Sequence, residues 1–253
     1  MLRVFALFYV VCVVVSKNAE DDMYIGLDKY QENYDLPKLP YKYDALEPWI
    51  DALTVKTHHS VIMARYANKL NEVLKEWRES KEEEKLSKTS LLNIFANIES
   101  VPEKWRTNLE NYGGGYLSHI FYFAVLNSNP SGEEKELPDS LKKIFKRSFH
   151  NFTQFKDWVE RDACKHFGAG HIWLIRVPRG NYLTIYATVE EVTPLNNEYQ
   201  PLFALDLWEH AYFIKHQNNR KKYVENWWKV VDWKKVDRLF KWWKQFDPKH
   251  DEL

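Results

Sequence analysis

Cysteine is nearly absent: 253 residues contain two, Cys12 and Cys164. A disulfide-stapled scaffold is therefore excluded, and the chain must rely on a packed core. Eight glycines and ten prolines are too few for a collagen-like or Pro/Gly low-complexity chain. An excess of either charge is also missing, since Lys plus Arg and Asp plus Glu each total 36. With no basic surplus and no recognised reader motif, no nucleic-acid partner is indicated, because a phosphate backbone demands local cationic density. The longest apolar run near the start, Val4 to Val15, has 12 residues. That is short of the roughly 20 a membrane-spanning helix needs, so no stable membrane anchor is expected. Apolar material is plentiful instead, with 45% hydrophobic and 16% aromatic residues. Enough surface can be buried to order one large domain or two modest ones.

Both ends read as addresses. Residues 1–16 have the pattern of a secretory signal peptide, with Arg3 before the apolar run and small residues after it, ending in cleavage after Ser16. The chain closes on His250-Asp251-Glu252-Leu253, which the retention receptor of the endoplasmic reticulum reads. Residence in the lumen of that compartment is the expectation, with that receptor as a partner. Cleavage removes Arg3 and Cys12, which leaves 35 basic against 36 acidic residues and Cys164 alone. Cys164 is expected to be a buried small hydrophobe, not a nucleophile. Asn151-Phe152-Thr153 is an acceptor pattern for N-glycosylation, usable in this compartment if exposed.

Between the ends, residues 17–35 read as a polar, irregular surface arm, residues 36–126 as a helical domain, 127–246 as a mixed domain and 247–253 as a tail. From Pro48 to Lys81 the rhythm is helical, and His58, Ile62, Tyr66 and Leu70 recur every fourth residue on one face. Further helices are predicted around Leu91, from about Gly115 to Val125, over Leu141 to Lys146, and over Phe152 to Phe167. After Gly168-Ala169-Gly170 the period changes. His171 to Val177 and Tyr182 to Val189 have strand composition around a Pro178-Arg179-Gly180 turn, and Leu202 to Leu205 reads as a third strand. Helix is predicted again over Trp208 to Lys215 and from Lys221 onward. The Trp-rich end reads as core and interface packing.

Four residues are candidate metal ligands: His58, His119, Asp206 and His210. Asp206 follows an apolar strand-like run with His210 four residues on, so a short turn there brings both side chains to one point. Three imidazoles and one carboxylate would give a redox metal nitrogen and oxygen ligands. A single negative ligand leaves the ion with net positive charge, which suits an anionic substrate. The same residues also read as packing histidines and a simple Asp-His hydrogen-bonded pair, and His59, His150, His166, His171, His216 and His250 allow other combinations.

In these segments the chain resembles the iron/manganese superoxide dismutase family. Leu36-Pro37-Lys38-Leu39-Pro40-Tyr41 opens the resemblance, followed by His58-His59 with Tyr66, by Gly113-Gly114-Gly115-Tyr116-Leu117-Ser118-His119, and by Asp206-Leu207-Trp208-Glu209-His210-Ala211-Tyr212. It extends from about Leu36 to Phe246. The resemblance implies an α+β fold: a helical N-terminal hairpin domain, then a mixed domain with a small antiparallel three-stranded sheet surrounded by helices. It implies that His58, His119, Asp206 and His210 hold one manganese or iron ion per subunit. The activity implied is conversion of two superoxide anions and protons to oxygen and hydrogen peroxide in a homodimer. Gly115 favours manganese slightly, since many iron forms carry glutamine there.

The resemblance further makes Tyr66 the active-site tyrosine, Trp173 and Trp208 cavity walls, and Glu209 a partner of His210 across the dimer interface. Several positions depart from the family pattern. His171 stands where tryptophan is expected. Glu191, with Glu190 as the alternative, takes the place of a glutamine, and a carboxylate can only accept where an amide can donate. The replacement is expected to shift solvent protonation and reduction potential and to add negative charge on the anion's path, with pairing to protonated His171 or approach to the metal as the alternative. Ile62 and Phe213 replace a polar pair with an apolar one, and Met63 and Ser118 differ as well. These changes keep open a noncatalytic, metal-binding or interaction role.

Overall fold

The computed structural model describes residues 22–196 and 198–246. The signal-like segment and the terminal His250-Asp251-Glu252-Leu253 lie outside them. The first helical unit runs through α1 (Ala52–Thr57), a π-helical stretch (His58–Met63) and α2 (Ala64–Ser80). Asp51 caps its start by accepting from the Thr54 amide. Along α2, Leu70, Val73, Leu74 and Trp77 are buried at helical spacing, so this face packs and the rest is solvated. Short helices α3 (Glu84–Ser87) and α4 (Leu91–Ala96) lead to α5 (Glu103–Phe123), which packs antiparallel against α2 as the second arm of a hairpin.

The sequence pattern starts that last helix near Gly115, but α5 begins twelve residues earlier, at Glu103. Three consecutive glycines look like a break. Here they are buried within the helix, where the cost of roughly 1 kcal/mol per glycine is outweighed by close packing. Residues 22–35 also differ from the polar surface arm expected. Met23, Tyr24, Leu27 and Tyr34 are buried in the main core. Arg78 donates to the Gln31 and Glu32 carbonyls, Asn71 bonds the Tyr34 backbone twice, and Asp22 pairs with Arg238 at 2.9 Å. Irregular turns hide this apolar set from any periodic pattern.

In the second half, α6 (Asp139–Phe149) and α7 (Phe152–Lys165) precede β1 (Gly170–Val177), β2 (Tyr182–Val189) and β3 (Gln200–Asp206). The sheet order is β2-β1-β3, antiparallel throughout. All residues of β1 and β3 are buried, which suits their near-continuous apolar sequences, while much of β2 is exposed. Strand β3 is covered by α5 and by α10 (Trp233–Lys244), and α9 (Arg220–Val230) packs on α7. Trp227, Trp233 and Trp243 are buried in this layer, as expected of the aromatic end. The helix predicted over Trp208 to Lys215 is instead a 3-10 turn (Glu209–Ala211) and a short α8 (Phe213–His216). Cys164 is exposed, contrary to its expected burial.

Candidate metal centre

The hairpin supplies two candidate ligands and the sheet two more. His58 opens the π-helical stretch, whose wider turn departs from α-helical register, as such segments often do at functional sites. His119 lies four residues before the end of α5. Asp206 ends β3, and His210 sits in the 3-10 turn that follows. That turn is fixed from both sides. Trp208 N–H donates to Asp206 Oδ1 at 2.7 Å, and the Leu207 amide donates to the Gly170 carbonyl. Arg220 adds donations to the carbonyls of His166, Gly168 and Leu207.

One ligand atom from each of His58, His119, Asp206 and His210 lies within 4.8 Å of all the others. Two atoms bound to one ion at about 2.0–2.2 Å sit at most about 4.4 Å apart, so shifts of a few tenths of an ångström close the cage. His58 Nε2 lies 3.0 Å from Asp206 Oδ2, yet off the line of a hydrogen bond. It and His119 Nε2 are buried nitrogens with no hydrogen-bond partner. Such atoms are costly to bury unless something binds them. The His119 tautomer is also set: Nδ1 faces the Gly115 carbonyl at 2.5 Å, which can only accept, so Nδ1 carries the hydrogen and Nε2 offers its lone pair. These residues fit a bound manganese or iron ion.

Electrostatics point the same way. Burial pushes His58 down to about 4 and His119 well below the usual imidazole range, so both rings are neutral and can donate lone pairs. Burial opposes ionisation of Asp206, but His210 and His171 outweigh it and hold the carboxyl well below its ordinary range. His210 is raised, since the attraction of Asp206 exceeds its own burial penalty. Two other buried histidines are occupied elsewhere. His59 bonds the Pro37 carbonyl and the Tyr43 hydroxyl, and His216 bonds Asn226. Among the described residues, the four ligands form the one such His/Asp group.

Around the cage, Trp208 stacks on His210 at 5.7 Å, and Trp173 is fully buried beside His171. Glu209 is exposed. His171 Nδ1 bonds the Glu190 carbonyl at 3.2 Å, while its Nε2 lies 3.8 Å from Asp206 Oδ1. Glu191, not Glu190, takes the inner position. Its Oε1 accepts from the Tyr66 hydroxyl at 2.5 Å and its Oε2 from Ser118 at 3.3 Å. Glu191 therefore binds two hydroxyls, those of Tyr66 and Ser118. Burial lowers His171 from the usual imidazole range. A cavity of about 440 Å³ reaches this group, walled by Val61, Ile62, Arg65, Tyr66, Trp208 and His210.

The sequence reading passed over Arg65, and it noted Ser118 only as a departure. Immediately before Tyr66 on the helix, Arg65 could have been found by asking which cation shares that stretch. Asn151 is exposed at the start of α7, and no residue lining the groove beside it lines the 440 Å³ cavity.

Burial raises the Glu191 carboxyl from 4.5 to about 7. Between those values the folded metal-free protein holds a proton that the unfolded chain has released, so stability falls as pH rises through this window. The full effect is roughly 3 kcal/mol at about 1.4 kcal/mol per unit. Glu191→Gln is therefore expected to match the parent near pH 4.5 and to exceed its stability by up to roughly 3 kcal/mol at pH 8. Urea unfolding of both metal-free proteins at the two pH values checks this, and parallel pH dependence would refute it. The histidine contributions are common to both proteins and cancel.

Known proteins resemble this chain. The family description "Iron/manganese superoxide dismutases, alpha-hairpin domain" matches residues 33–127, and the C-terminal domain of the same family matches residues 137–239. The manganese superoxide dismutase 2 of Bacillus anthracis is 35% identical over 208 residues, covering 82% of this chain and 95% of that protein. The manganese superoxide dismutase of Listeria monocytogenes is 36% identical over 207 residues, covering 82% and 97%. Manganese superoxide dismutase 1 of Leptolyngbya boryana is 35% identical over 207 residues, covering 81% and 79%. Fold, ligand cage and these likenesses converge: the chain belongs to the iron/manganese superoxide dismutase family.

Proposed function

We propose that this chain is a superoxide dismutase of the endoplasmic-reticulum lumen, working as a homodimer with one manganese or iron ion per subunit. The observation that carries the activity is the convergence of His58, His119, Asp206 and His210 from four distant segments. Manganese is favoured by Gly115, whose added Cβ would lie 2.5 Å from the Tyr66 ring, and by the named metal of the relatives. Lumenal residence rests on the signal-like start and the His-Asp-Glu-Leu end. The dimer is supported by exposed Leu53, Val61, Phe213 and Ile214, with exposed Glu209 close by in the chain.

When bound, the ion supplies one-electron redox chemistry that oxidises one superoxide anion to oxygen and reduces a second, with two protons, to hydrogen peroxide. The chain's own residues manage access and protons. Arg65 is the cation at the cavity mouth and offsets the charges of Glu190 and Glu191 along the anion's path. Tyr66 hydroxyl, Glu191 and Ser118 hydroxyl form a connected chain of exchangeable protons. Burial raises the Glu191 carboxyl, which favours its holding a proton between the two hydroxyls. Trp208 keeps the His210 ring in place by stacking.

Pulse radiolysis of purified protein carrying stoichiometric manganese or iron tests the activity. Turnover well above that of the free ion is expected, and its absence would leave the second reading. That reading, a noncatalytic metal-binding or interaction protein, is motivated by Glu191 and His171 standing where the family pattern has glutamine and tryptophan. Immunofluorescence of the full chain and of a chain lacking the last four residues tests location. Retention of the first and secretion of the second is the expected pattern.

A further inference from the structure

We propose that Asn151 carries an N-linked glycan whose first sugar lies in the groove beside it, on the face formed by α6 and α7. This rests on the lumenal residence proposed above.

Two Asn-x-Ser/Thr triplets occur in the sequence, and the fold separates them. In Asn129-Pro130-Ser131 the middle proline excludes the acceptor pattern. Asn129 is also buried, and its amide nitrogen donates to the carbonyls of Glu133 and Lys229. Asn151-Phe152-Thr153 is the opposite case. Asn151 and Thr153 are both exposed at the corner between α6 and α7. The fold uses the side-chain oxygen of Asn151, which caps α7 by accepting from the Gln154 amide at 2.8 Å. Glycosylation consumes the other atom, the amide nitrogen. The cap and the modification are therefore compatible on one side chain.

The chemistry needs one co-reactant, a lipid-linked oligosaccharide diphosphate. A bond forms between Asn151 Nδ2 and the anomeric carbon of the first sugar. The bond from that carbon to the diphosphate oxygen breaks, the lipid diphosphate leaves with the electron pair, and the amide loses one proton. No electrons are exchanged with an oxidant or reductant.

Asn151 stands on the rim of a groove of about 570 Å³, walled by Leu137, Phe145 and Phe152 with Lys142, Lys146 and His150 around them. An N-acetylhexosamine has an apolar ring face for such a floor and hydroxyl and amide groups for such a rim. The sugar is tethered at the edge of this groove, so little translational freedom remains to be lost on seating. None of these residues lines the cavity that leads to the metal cage, so the glycan leaves the substrate path open.

The full chain, expressed in secretory cells, is compared with Thr153→Ala, which removes the acceptor pattern and keeps the cap, and with Asn151→Asp, which keeps a capping oxygen. A parallel set replaces residues 1–16 with a foreign signal sequence, so that failed entry into the lumen is told apart from a failed acceptor. A mobility shift is expected in the parent that endoglycosidase H reverses and both variants lack. A parent that reaches the lumen without that shift overturns the modification. Trimming to a single sugar then tests the seat: slower amide exchange than in Thr153→Ala across residues 137–152 is expected, and unchanged exchange overturns the seat.

Discussion

Asp206→Ala is expected to lose stoichiometric manganese or iron and, with it, superoxide turnover. Asp206 is the one anionic member of the cage, and it touches two others at 3.0 and 3.1 Å, His58 and His210. Without it, three neutral imidazoles must hold a multivalent cation in a buried volume with no compensating charge. Changes outside the direct ligands typically cost 10–100-fold in metal affinity. Loss of the ligand itself should exceed roughly 100-fold on the same scale. The fold should survive, because burial already keeps His58 and His119 uncharged. Metal analysis with circular dichroism separates the two effects. Full metal loading in the variant would remove Asp206 from the ligand set.

Gly114→Ala is expected to destabilise the fold strongly. A Cβ at this position would lie 2.1 Å from the backbone oxygen of Glu191. A backbone carbonyl cannot swing aside as a side chain can. Either α5 or the segment after β2 must move. Overpacking of this kind costs up to about 3 kcal/mol, and the helix preference for alanine returns only about 1 kcal/mol of it. A net loss of about 2 kcal/mol corresponds to a fall in Tm of roughly 4–8 °C for a domain of this size. Calorimetry of metal-free parent and variant measures it. Gly115→Ala makes a useful contrast, because its Cβ meets the Tyr66 ring at 2.5 Å. That ring can yield, so stability should suffer less while the Tyr66–Glu191 hydrogen bond is disturbed.

How far the sequence could be read follows from where the information lies. Strands β1 and β2 match the predicted His171–Val177 and Tyr182–Val189 almost residue for residue, because β-branched and aromatic runs bounded by glycine and proline carry local signals. The ligand set was legible through resemblance, since no spacing rule connects His58 to His119 or Asp206. Less visible was anything decided by packing between distant segments. The start of α5 was hidden by glycines whose justification is Phe95, Glu191 and Tyr66 elsewhere in the chain. The buried stretch 22–35 has no period at all. Cys164 was misread because composition favours burial for cysteine, whereas its place on α7 faces solvent.

The π-helical stretch His58–Met63 has an implication for how this helix tolerates change. An ordinary helix advances about 100° per residue. The wide turn absorbs part of that rotation, so His58 and Tyr66 occupy angular settings that a regular helix of equal length would not give them. Tightening the same six residues to regular coiling would swing everything on one side of it by about a quarter turn or more. Either the imidazole or the phenol would then point away from its present neighbours. Substitutions in this stretch can be accommodated by repacking, but its length is locked to the spatial phase between the two rings.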